Sequence, residues 1–304
     1  MSIGADNDRW VQLAGSTATD GWDVAVRDDV DGWSHTGLYV ATLTPDECRS
    51  LDLGVREAVV VPLAGSCDVT ALLQGEPIAA QVTLAGRESV WSGPTDVVYV
   101  PPGAQLTLCG RGPGISRVAV LLAADPEGAG RRHSLIHLPA AQVPVELRGA
   151  GIASRQVRNF GIPGVLDAGR MIACEVITPA GNWSSWPPHK HDEERPGVES
   201  ELEEIYYFQT RSTDERGTDP VGYQRVYAAG DRPIDVVAEV RTDDVVLVPH
   251  GWHGPAVAAP DADLYYLNVM AGPGSQRAWL ICDDPAHAWV RETWADQPID
   301  PRVT

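Results

Sequence analysis

Short apolar runs, broken by Gly, Pro and Asp, set the pattern of the chain. The runs are rich in β-branched and aromatic residues and alternate with turn residues about every ten positions, which predicts an antiparallel β-sandwich or β-barrel. Helix signals are few, and the best of them covers residues 285–294, just after two aspartates. The clearest predicted strands are 57–62, 78–84, 96–100, 117–122, 171–178, 204–209, 234–240, 244–248 and 264–270.

An internal repeat indicates two domains. Residues 96–103 read DVVYVPPG and residues 244–251 read DVVLVPHG, so six of eight positions match at an offset of 148 residues. An offset close to half of the 304 residues favours duplication over chance. We therefore expect two similar β domains, at residues 1–140 and 150–304, joined by a less periodic stretch that contains Arg131, Arg132 and His133.

Composition and charge narrow the class of partner. With 43% hydrophobic and 21% charged residues, the chain has the composition of a globular protein. Its 42 acidic and 23 basic residues give a net charge of −19, which repels nucleic acid and anionic membranes. We therefore expect a small-molecule partner, with no nucleic acid and no membrane involved.

Three sequence features indicate the cellular compartment: the length of the apolar runs, the N-terminal residues and the cysteines. No apolar run reaches the ~20 residues that span a bilayer, and the N-terminus lacks the basic and apolar regions of a signal peptide. A cytoplasmic protein is therefore expected. Cysteines that are scattered, without a CxxC pair, are typical of reduced residues in a hydrophobic core. We expect this of Cys48, Cys67, Cys109, Cys174 and Cys282.

The richest chemistry lies at residues 187–192, which read PPHKHD. In a strand, residues i and i+2 project to one face, so His189 and His191 would stand side by side. Two imidazoles placed in this way can bind one metal ion. The alternative is a pair of surface histidines on a loop, and further ligands are needed to favour the metal site.

An acidic run at residues 199–204 leads directly into a predicted strand. A carboxylate at the start of a strand that faces the two histidines could complete a metal site. Alternation places Glu204 and Tyr206 on one face of this strand and Glu203 on the other. Because the orientation of the strand is not fixed by the sequence, either glutamate could be the ligand.

A further imidazole is expected from the turn after the strand 244–248. Pro and Gly set this turn, and His253, just beyond it, can point back into a barrel. His250 is the alternative. Aligned by the repeat, the first domain has Gln105 where the second has His253, and it has no HxH. The sequence therefore predicts one metal site, in the second domain.

As a set, these motifs resemble the metal site of the cupin barrels, and two such domains in tandem resemble a bicupin. More narrowly, the chain resembles the 5-deoxy-glucuronate isomerase family of myo-inositol catabolism, which is related to 4-deoxy-threo-hexosulose-uronate ketol-isomerase. The resemblance implies an all-β fold of two cupin-type barrels with few short helices. It rests on residues 183–192 (WSSWPPHKHD), 199–208 (ESELEEIYYF) and 265–273 (YYLNVMAGP).

The resemblance also implies a reaction, in which 5-deoxy-glucuronate is isomerised to 2-deoxy-5-keto-gluconate. A divalent metal ion would polarise the carbonyl oxygen and stabilise an enediolate. Zinc is expected first, with manganese, iron or nickel as alternatives, because imidazole accepts all of them. The implied ligands are His189, His191, Glu204 and His253.

Such a reaction needs a proton-transfer residue and a cation for the substrate carboxylate. The candidates for proton transfer are Glu203, Lys190 and Tyr206. Lys190 is the single lysine of the chain, although strand alternation points it away from the metal. Arg170 and Arg225, on predicted strands, are the candidates for the carboxylate. For each of these residues a purely structural or surface role is the alternative.

Two other functions are compatible with this ligand set. One is a metal-dependent oxygenase, which oxygen consumption would reveal. The other is a sugar-binding bicupin without enzymatic activity, in which no stoichiometric metal would be found. The first domain is expected either to cover the barrel of the second or to build the interface of a homo-oligomer.

Overall fold

Strands make up most of the described chain, which confirms the all-β prediction. The structure is a computed structural model that describes residues 4–27, 30–73, 75–128, 134–217 and 219–303. The basic stretch at residues 131–133, which the sequence places between two domains, lies outside the described residues.

The strands of the first half are β1 (Val11–Gln12), β2 (Val24–Val26), β3 (Thr36–Leu43), β4 (Cys48–Asp52), β5 (Arg56–Leu72), β6 (Ala80–Arg87), β7 (Val97–Val100), β8 (Gln105–Arg111), β9 (Ser116–Ala124) and β10 (Ile136–Leu138). They form a sheet in the order β10-β7-β5-β9-β3-β2. The long strand β5 also pairs with β6 and β8, and β8 pairs with β4. The exception is β1, which joins a sheet of the second half.

The strands of the second half are β11 (Val145–Arg148), β12 (Arg155–Gly161), β13 (Ile172–Thr178), β14 (Trp183–Ser184), β15 (His189–Lys190), β16 (Asp192–Arg195), β17 (Glu199–Glu201), β18 (Glu203–Ser212), β19 (Gly222–Ala229), β20 (Arg232–Val240), β21 (Val245–Val248), β22 (Trp252–Ala258), β23 (Ala262–Ala271) and β24 (Cys282–Asp283). One sheet runs β1-β21-β18-β23-β13-β12-β11. A second runs β20-β19-β22-β15-β24, with β14 on β22, and β16 pairs with β17.

The predicted strands all have observed counterparts, and their ends differ by a few residues. The largest difference is in β5, where the predicted strand 57–62 continues to Leu72. The predicted tail helix is a 3-10 helix at Ala288–Asp296. None of the described helices has the length and apolar character of a membrane span. The other short helices are α1 (Asn7–Trp10) and the 3-10 turns Val90–Ser92, Ala140–Gln142 and Pro301–Val303.

The central apolar runs are continuous because both faces of these strands are buried. On β5, Val59 and Val61 belong to a core that is shared with the second half, whereas Ala58 and Val60 belong to a core formed by the first half alone. Ile205 of β18 lies in the shared core. The two halves therefore pack face to face through a continuous apolar layer.

Two buried carboxylates join the halves across this layer. Glu203, at the start of β18, accepts hydrogen bonds from the backbone N–H groups of Ser34, His35 and Thr36 at 3.2, 2.7 and 2.5 Å. It also accepts one from the Thr36 hydroxyl at 2.9 Å. A carboxylate that accepts several backbone N–H bonds anchors a chain segment strongly.

A glutamate of the first half makes the equivalent contact with the second half. Glu57, at the start of β5, accepts hydrogen bonds from the backbone N–H groups of Gly169, Arg170 and Met171, each at 2.6 Å. We refer to Glu57 and Glu203 as the clasp glutamates. Each belongs to one half and binds three consecutive N–H groups of the other, so the contact is reciprocal.

Strand registers reproduce the equivalence that the sequence repeat indicates. Ala58 pairs with Val100 of β7, and Glu204 pairs with Val248 of β21. Val100 and Val248 are matched positions of the repeat. The clasp glutamates directly precede Ala58 and Glu204, so they too are equivalent. The boundaries at 140 and 150 stay a prediction, and β1 is one segment that crosses to the other half.

The expectation of five reduced cysteines is wrong for one pair. Cys48 of β4 and Cys109 of β8 lie directly opposite each other in the antiparallel register and form a disulfide. Sequence spacing could not reveal this, because 61 residues separate the two cysteines and the pairing of β4 with β8 brings them together. Cys67 and Cys174 are buried free thiols, as expected, and Cys282 is a partly exposed one.

Candidate metal centre

The HxH segment lies inside the second barrel, beside β22. His189 of β15 pairs directly with His253 of β22 in the antiparallel register. The imidazole ring centres of His189 and His191 lie 4.4 and 4.6 Å from that of His253. The three histidines each offer a ligand atom, and these atoms all lie within 4.8 Å of one another. Such a separation fits one shared coordination sphere.

Glu204 supplies a carboxylate to the same point. Its Oε2 atom lies 3.1 Å from Nε2 of His191 and 3.1 Å from Nε2 of His253. The strand β18 places Glu204 on the barrel side, because alternation turns the preceding Glu203 to the other half. Glu204, His191 and His253 are all almost fully buried, with at most 2% of each residue exposed.

The other ring nitrogen of each buried histidine is held by a backbone carbonyl. His191 Nδ1 lies 3.1 Å from Leu202 O, and His253 Nδ1 lies 3.2 Å from Gly251 O. Carbonyl oxygens only accept, so Nδ1 carries the hydrogen in both rings. In a neutral imidazole this leaves a lone pair on Nε2, which is the arrangement that metal-binding histidines adopt.

These lone pairs make the centre suited to a cation. Nε2 of His253 has no hydrogen-bond partner in the described part of the chain. It lies 3.1 Å from Glu204 Oε2, as does Nε2 of His191, which can share a proton with that carboxylate. A divalent ion bound by all three groups would take the place of that proton and also satisfy Nε2 of His253. The residues present therefore fit a metal ion.

Burial and the neighbouring charges shift the pKa values of this cluster in different directions. Burial would raise the pKa of the Glu204 carboxyl, but the imidazoles of His191 and His253 outweigh it and hold that pKa at about 2. Burial lowers the pKa of His189 well below its usual value, and the neighbouring imidazoles add to the effect. For His191 burial acts in the same direction, but contact with Glu204 raises its pKa. Before a metal binds, a proton on His191 can take its place beside the carboxylate.

A network of charges on the other side of β15 connects the segments that carry the candidate ligands. Lys190 Nζ donates hydrogen bonds to Asp192 at 2.6 Å and to Glu199 at 2.8 Å. The second oxygen of Asp192 accepts the backbone N–H of Gly251 at 2.8 Å. Gly251 is also the residue whose carbonyl holds His253. The network thus ties the HxH segment to the turn that carries His253.

This network predicts a loss of metal affinity on Asp192→Ala. The turn at Gly251 would lose its anchor, and removal of such outer contacts typically costs about 10- to 100-fold in metal affinity. Zinc titration in competition with a fluorescent chelator measures the effect, and circular dichroism checks the fold. Glu193→Ala is the matched control, since Glu193 is an exposed neighbour 3.5 Å from Lys190 and should leave the affinity unchanged. Equal affinities in the two variants would contradict the supporting role.

The candidate metal centre borders a cavity of about 210 Å³. His189 and Glu204 lie on its wall. Segments distant in sequence complete it, including the C-terminal tail after β23. The remaining lining residues are Arg148, Arg155, Val157, Cys174, Val176, Ser185, Tyr206, Tyr266, Asn268, Trp279, Ile281 and Arg291.

Comparison with known proteins shows to which family this chain belongs. The profile of the KduI/IolB family matches residues 11–290. The chain belongs to the KduI/IolB family. A 5-deoxy-glucuronate isomerase from Geobacillus kaustophilus (strain HTA426) is 36% identical over 273 residues, which cover 89% of this chain and 91% of that relative. Another, from Bacillus subtilis (strain 168), is 36% identical over 261 residues, covering 85% and 89% of the two chains.

Solved structures agree with the family assignment. A crystal structure of an IolB-like protein from Salmonella typhimurium LT2 superposes with a TM-score of 0.79 at 30% identity, over 92% of this chain and 98% of that one. An oxalate decarboxylase from Lactobacillus farciminis gives a TM-score of 0.61 at 10% identity, over 90% and 88% of the two chains. The second likeness concerns the fold alone. The predicted bicupin fold and the predicted family are both confirmed.

The structure places the three candidates for proton transfer in different surroundings. Glu203 is a clasp glutamate and faces the first half. Lys190 is occupied by Asp192 and Glu199 and does not line the cavity. Tyr206 does line it, and its hydroxyl lies 3.1 Å from Ser185 Oγ.

The two arginines predicted to bind the substrate carboxylate lie elsewhere. Arg170 precedes β13 rather than lying on a strand, and its guanidinium contacts Glu127 at 3.1 Å. Arg225 lies on β19 and pairs with Asp235 at 2.5 Å. Neither residue lines the cavity. His250, the alternative imidazole, is also outside the metal cluster.

The arginines that do reach the cavity are Arg148, Arg155 and Arg291. Sequence reasoning missed them because their approach depends on how β11, β12 and the tail pack around the barrel mouth. Strand alternation gives a side chain its face, but it does not say which strands lie next to each other. Arg155 directly follows the turn at residues 149–154, and no sequence motif there marks it as a residue of the cavity.

The first half keeps the clasp but has different residues at the ligand positions. By strand register, Ala58 stands where the second half has Glu204. Asp52 pairs with Gln105 as His189 pairs with His253. Among the described residues, the histidines of the second half form the one cluster of three ligand-bearing side chains this close together.

Proposed function

We propose that this chain is a metal-dependent 5-deoxy-glucuronate isomerase, which produces 2-deoxy-5-keto-gluconate as a cytoplasmic step of myo-inositol catabolism. The observation that carries the proposal is the convergence of three imidazoles and Glu204, of which His189 and Glu204 lie on the wall of one cavity. Relatives at 36% identity over most of the chain that carry this enzyme name support the choice of substrate.

His189, His191, His253 and Glu204 would hold the ion, and zinc is the first expectation. Bound there, a divalent cation would act as a Lewis acid on the carbonyl oxygen of the substrate. Manganese, iron and nickel are compatible with the same imidazole-rich set. The buried lone pair of His253 Nε2 is the feature of the chain that favours an ion over a vacant site.

The reaction moves hydrogen between two adjacent carbons and changes no other atom. A base takes the proton from the hydroxyl-bearing carbon and returns it to the former aldehyde carbon, while a second proton passes from one substrate oxygen to the other, so that a hydroxyl and a carbonyl exchange places. Among the described cavity-lining residues, Glu204 is the sole carboxylate, so it is the group that would carry the proton between the two carbons. The proton that moves between the substrate oxygens is carried by hydroxyl groups.

We assign that role to Tyr206. Burial raises the pKa of its phenol well above the usual value, so at neutral pH it carries a proton to donate. Ser185 Oγ lies 3.1 Å from the Tyr206 hydroxyl and 3.3 Å from that of Tyr266, which links three hydroxyl groups along the cavity wall. A protonated phenol can donate to a substrate oxygen that gains negative charge.

The proposal predicts isomerisation and bound metal together. Purified protein should contain about one divalent ion per chain and convert 5-deoxy-glucuronate to the ketose, as followed by the loss of the aldose signal in NMR spectra. In His191→Ala both should disappear, because the ligand and its contact with Glu204 are removed.

Two controls make the test specific. A sealed oxygen electrode should register no uptake during turnover, since an oxygenase would consume oxygen with the same metal ligands. Metal removal by a chelator, followed by separate addition of zinc, manganese, iron or nickel, should restore the rate with at least one ion. Full isomerase activity in His191→Ala, or in metal-free protein, would refute the assignment of this site.

A further inference from the structure

One arginine of the metal cavity lacks a counter-charge. Arg155, at the start of β12, is only 5% exposed. Its Nη1 donates a hydrogen bond to the carbonyl of Ala153 at 3.0 Å, and its guanidinium lies 5.6 Å from the ring centre of Trp294. No carboxylate of the described chain lies within ion-pairing distance of it. Burying a charged group without a partner is costly, so a position of this kind is suited to an anion from outside.

The two neighbouring arginines differ in this respect. Arg148 forms a bidentate pair with Glu146 at 2.9 and 2.7 Å. Arg291 forms a bidentate pair with Asp283, with one contact at 2.7 Å. Both guanidinium groups line the same cavity and are already neutralised. The arginines of this wall therefore leave one positive charge uncompensated, that of Arg155.

The electrostatic setting of Arg155 agrees with this count. Burial lowers the pKa of its guanidinium to about 10, with the charges of Arg148 and Arg291 acting in the same direction. At neutral pH the group is still charged. The positive charges of Arg155 and Arg291 also act on the metal centre, because both contribute to the lowered pKa of His189. A bound anion would relieve the repulsion between these groups.

The cavity thus offers two kinds of group. His189 and Glu204 are candidate metal ligands, which suit the carbonyl and hydroxyl oxygens of a sugar. Arg155 offers a planar guanidinium, whose donors match the two oxygens of a carboxylate. A single uncompensated charge matches a monocarboxylate better than a dianionic phosphate ester.

We infer that Arg155 binds the carboxylate of the substrate and selects sugar monoacids over neutral sugars and sugar phosphates. The inference rests on the proposed function for the identity of the sugar. It assigns Arg155 the role for which the sequence offered Arg170 and Arg225, both of which are paired outside the cavity.

Binding measurements that need no turnover test the inference. Calorimetric titration of the zinc-loaded wild type should show that glucuronate binds at least about tenfold more tightly than glucuronamide, because a charged hydrogen-bond partner is lost in the amide. Glucose 6-phosphate should also bind more weakly than glucuronate. In Arg155→Met the preference for the acid over the amide should fall to about one. Arg225→Met, an arginine outside the cavity, is the control and should keep the wild-type preference.

Kinetics provide a second, separate readout. With 5-deoxy-glucuronate, Arg155→Met should raise KM about 10- to 100-fold and change kcat much less, since the carboxylate is remote from the reacting carbons. Arg155→Lys, which keeps the charge but not the planar fork, should lie between the two and serves if the Met variant fails to fold.

The outcomes separate the two proposals. Equal binding of glucuronate and glucuronamide to the wild type, or an unchanged preference in folded Arg155→Met, would overturn the role of Arg155. If the preference behaves as expected but 5-deoxy-glucuronate is not isomerised, the carboxylate site stands and the proposed reaction fails. If isomerisation occurs with an unchanged KM in Arg155→Met and Arg155→Lys, the reaction stands and the inference fails.

Discussion

Glu204→Gln will keep its fold and lose the bound metal, and isomerase turnover will fall by about a thousandfold, or ~4 kcal/mol of transition-state stabilisation. The substitution preserves the shape of the side chain and removes its charge. Glu204 Oε2 is the acceptor that faces His191 and His253, and a neutral amide is a much weaker ligand for a divalent ion. Metal analysis of the purified variant and the NMR assay measure the two losses.

Glu203→Gln is the matched comparison, one residue away on the same strand. Its side chain faces the first half, so the variant should retain metal and turnover. It should instead lose about 2–3 kcal/mol of unfolding free energy, because charge-assisted hydrogen bonds to Ser34, His35 and Thr36 are weakened. Urea denaturation gives the stability, with the two variants side by side. If Glu203→Gln loses metal and Glu204→Gln does not, the assignment of the two glutamates is reversed.

Arg87→Met will lower the free energy of unfolding by about 3–5 kcal/mol, the cost of breaking a buried ion pair on one side. Arg87 of the first half forms a bidentate pair with Glu175 of the second, and both side chains are at most 3% exposed. Without Arg87, the partners that Glu175 keeps among the described residues are the more distant Arg158 at 3.7 Å and the Tyr265 hydroxyl at 2.8 Å. The measurement is denaturation in urea, followed by both tryptophan fluorescence and circular dichroism.

The stabilisation that the Arg87–Glu175 pair contributes changes with pH in a definite direction. Burial would raise the pKa of Glu175, but the charge of Arg87 outweighs it and lowers that pKa below its usual value. The pair therefore contributes fully above the unfolded-state pKa of about 4.3, and its contribution is lost as the pH falls through the lower folded-state pKa. Arg87→Met combined with Glu175→Leu should recover much of the lost stability, because no charge is left buried. A double variant as unstable as Arg87→Met would contradict this account.

The strands were predictable because their signal is local. The run that forms β5 is apolar on both faces, and the structure explains this by a core on each side of it. The HxH segment and the residue after the Pro-His-Gly turn were also readable, since alternation and turn chemistry act over a few residues. The disulfide was not, because it depends on the pairing of β4 with β8.

The pair Glu203 and Glu204 shows where local reasoning ends. Alternation establishes that their side chains point to opposite faces, but the choice of face follows from what packs on each side of β18. The first half supplies three N–H groups on one side, and His191 and His253 lie on the other. The packing of the two halves therefore determines which of the two glutamates faces the histidines.

By itself, the sequence determined the β architecture, the duplication and the types of side chain that can bind a metal, because each depends on periodicity and spacing along the chain. Only the tertiary structure decided which glutamate joins the histidines, which tyrosine hydroxyl reaches the cavity and which arginine lies at its wall without a counter-charge. These choices depend on how separate segments of the chain pack against one another, such as β12 and the tail, and no local pattern encodes such packing.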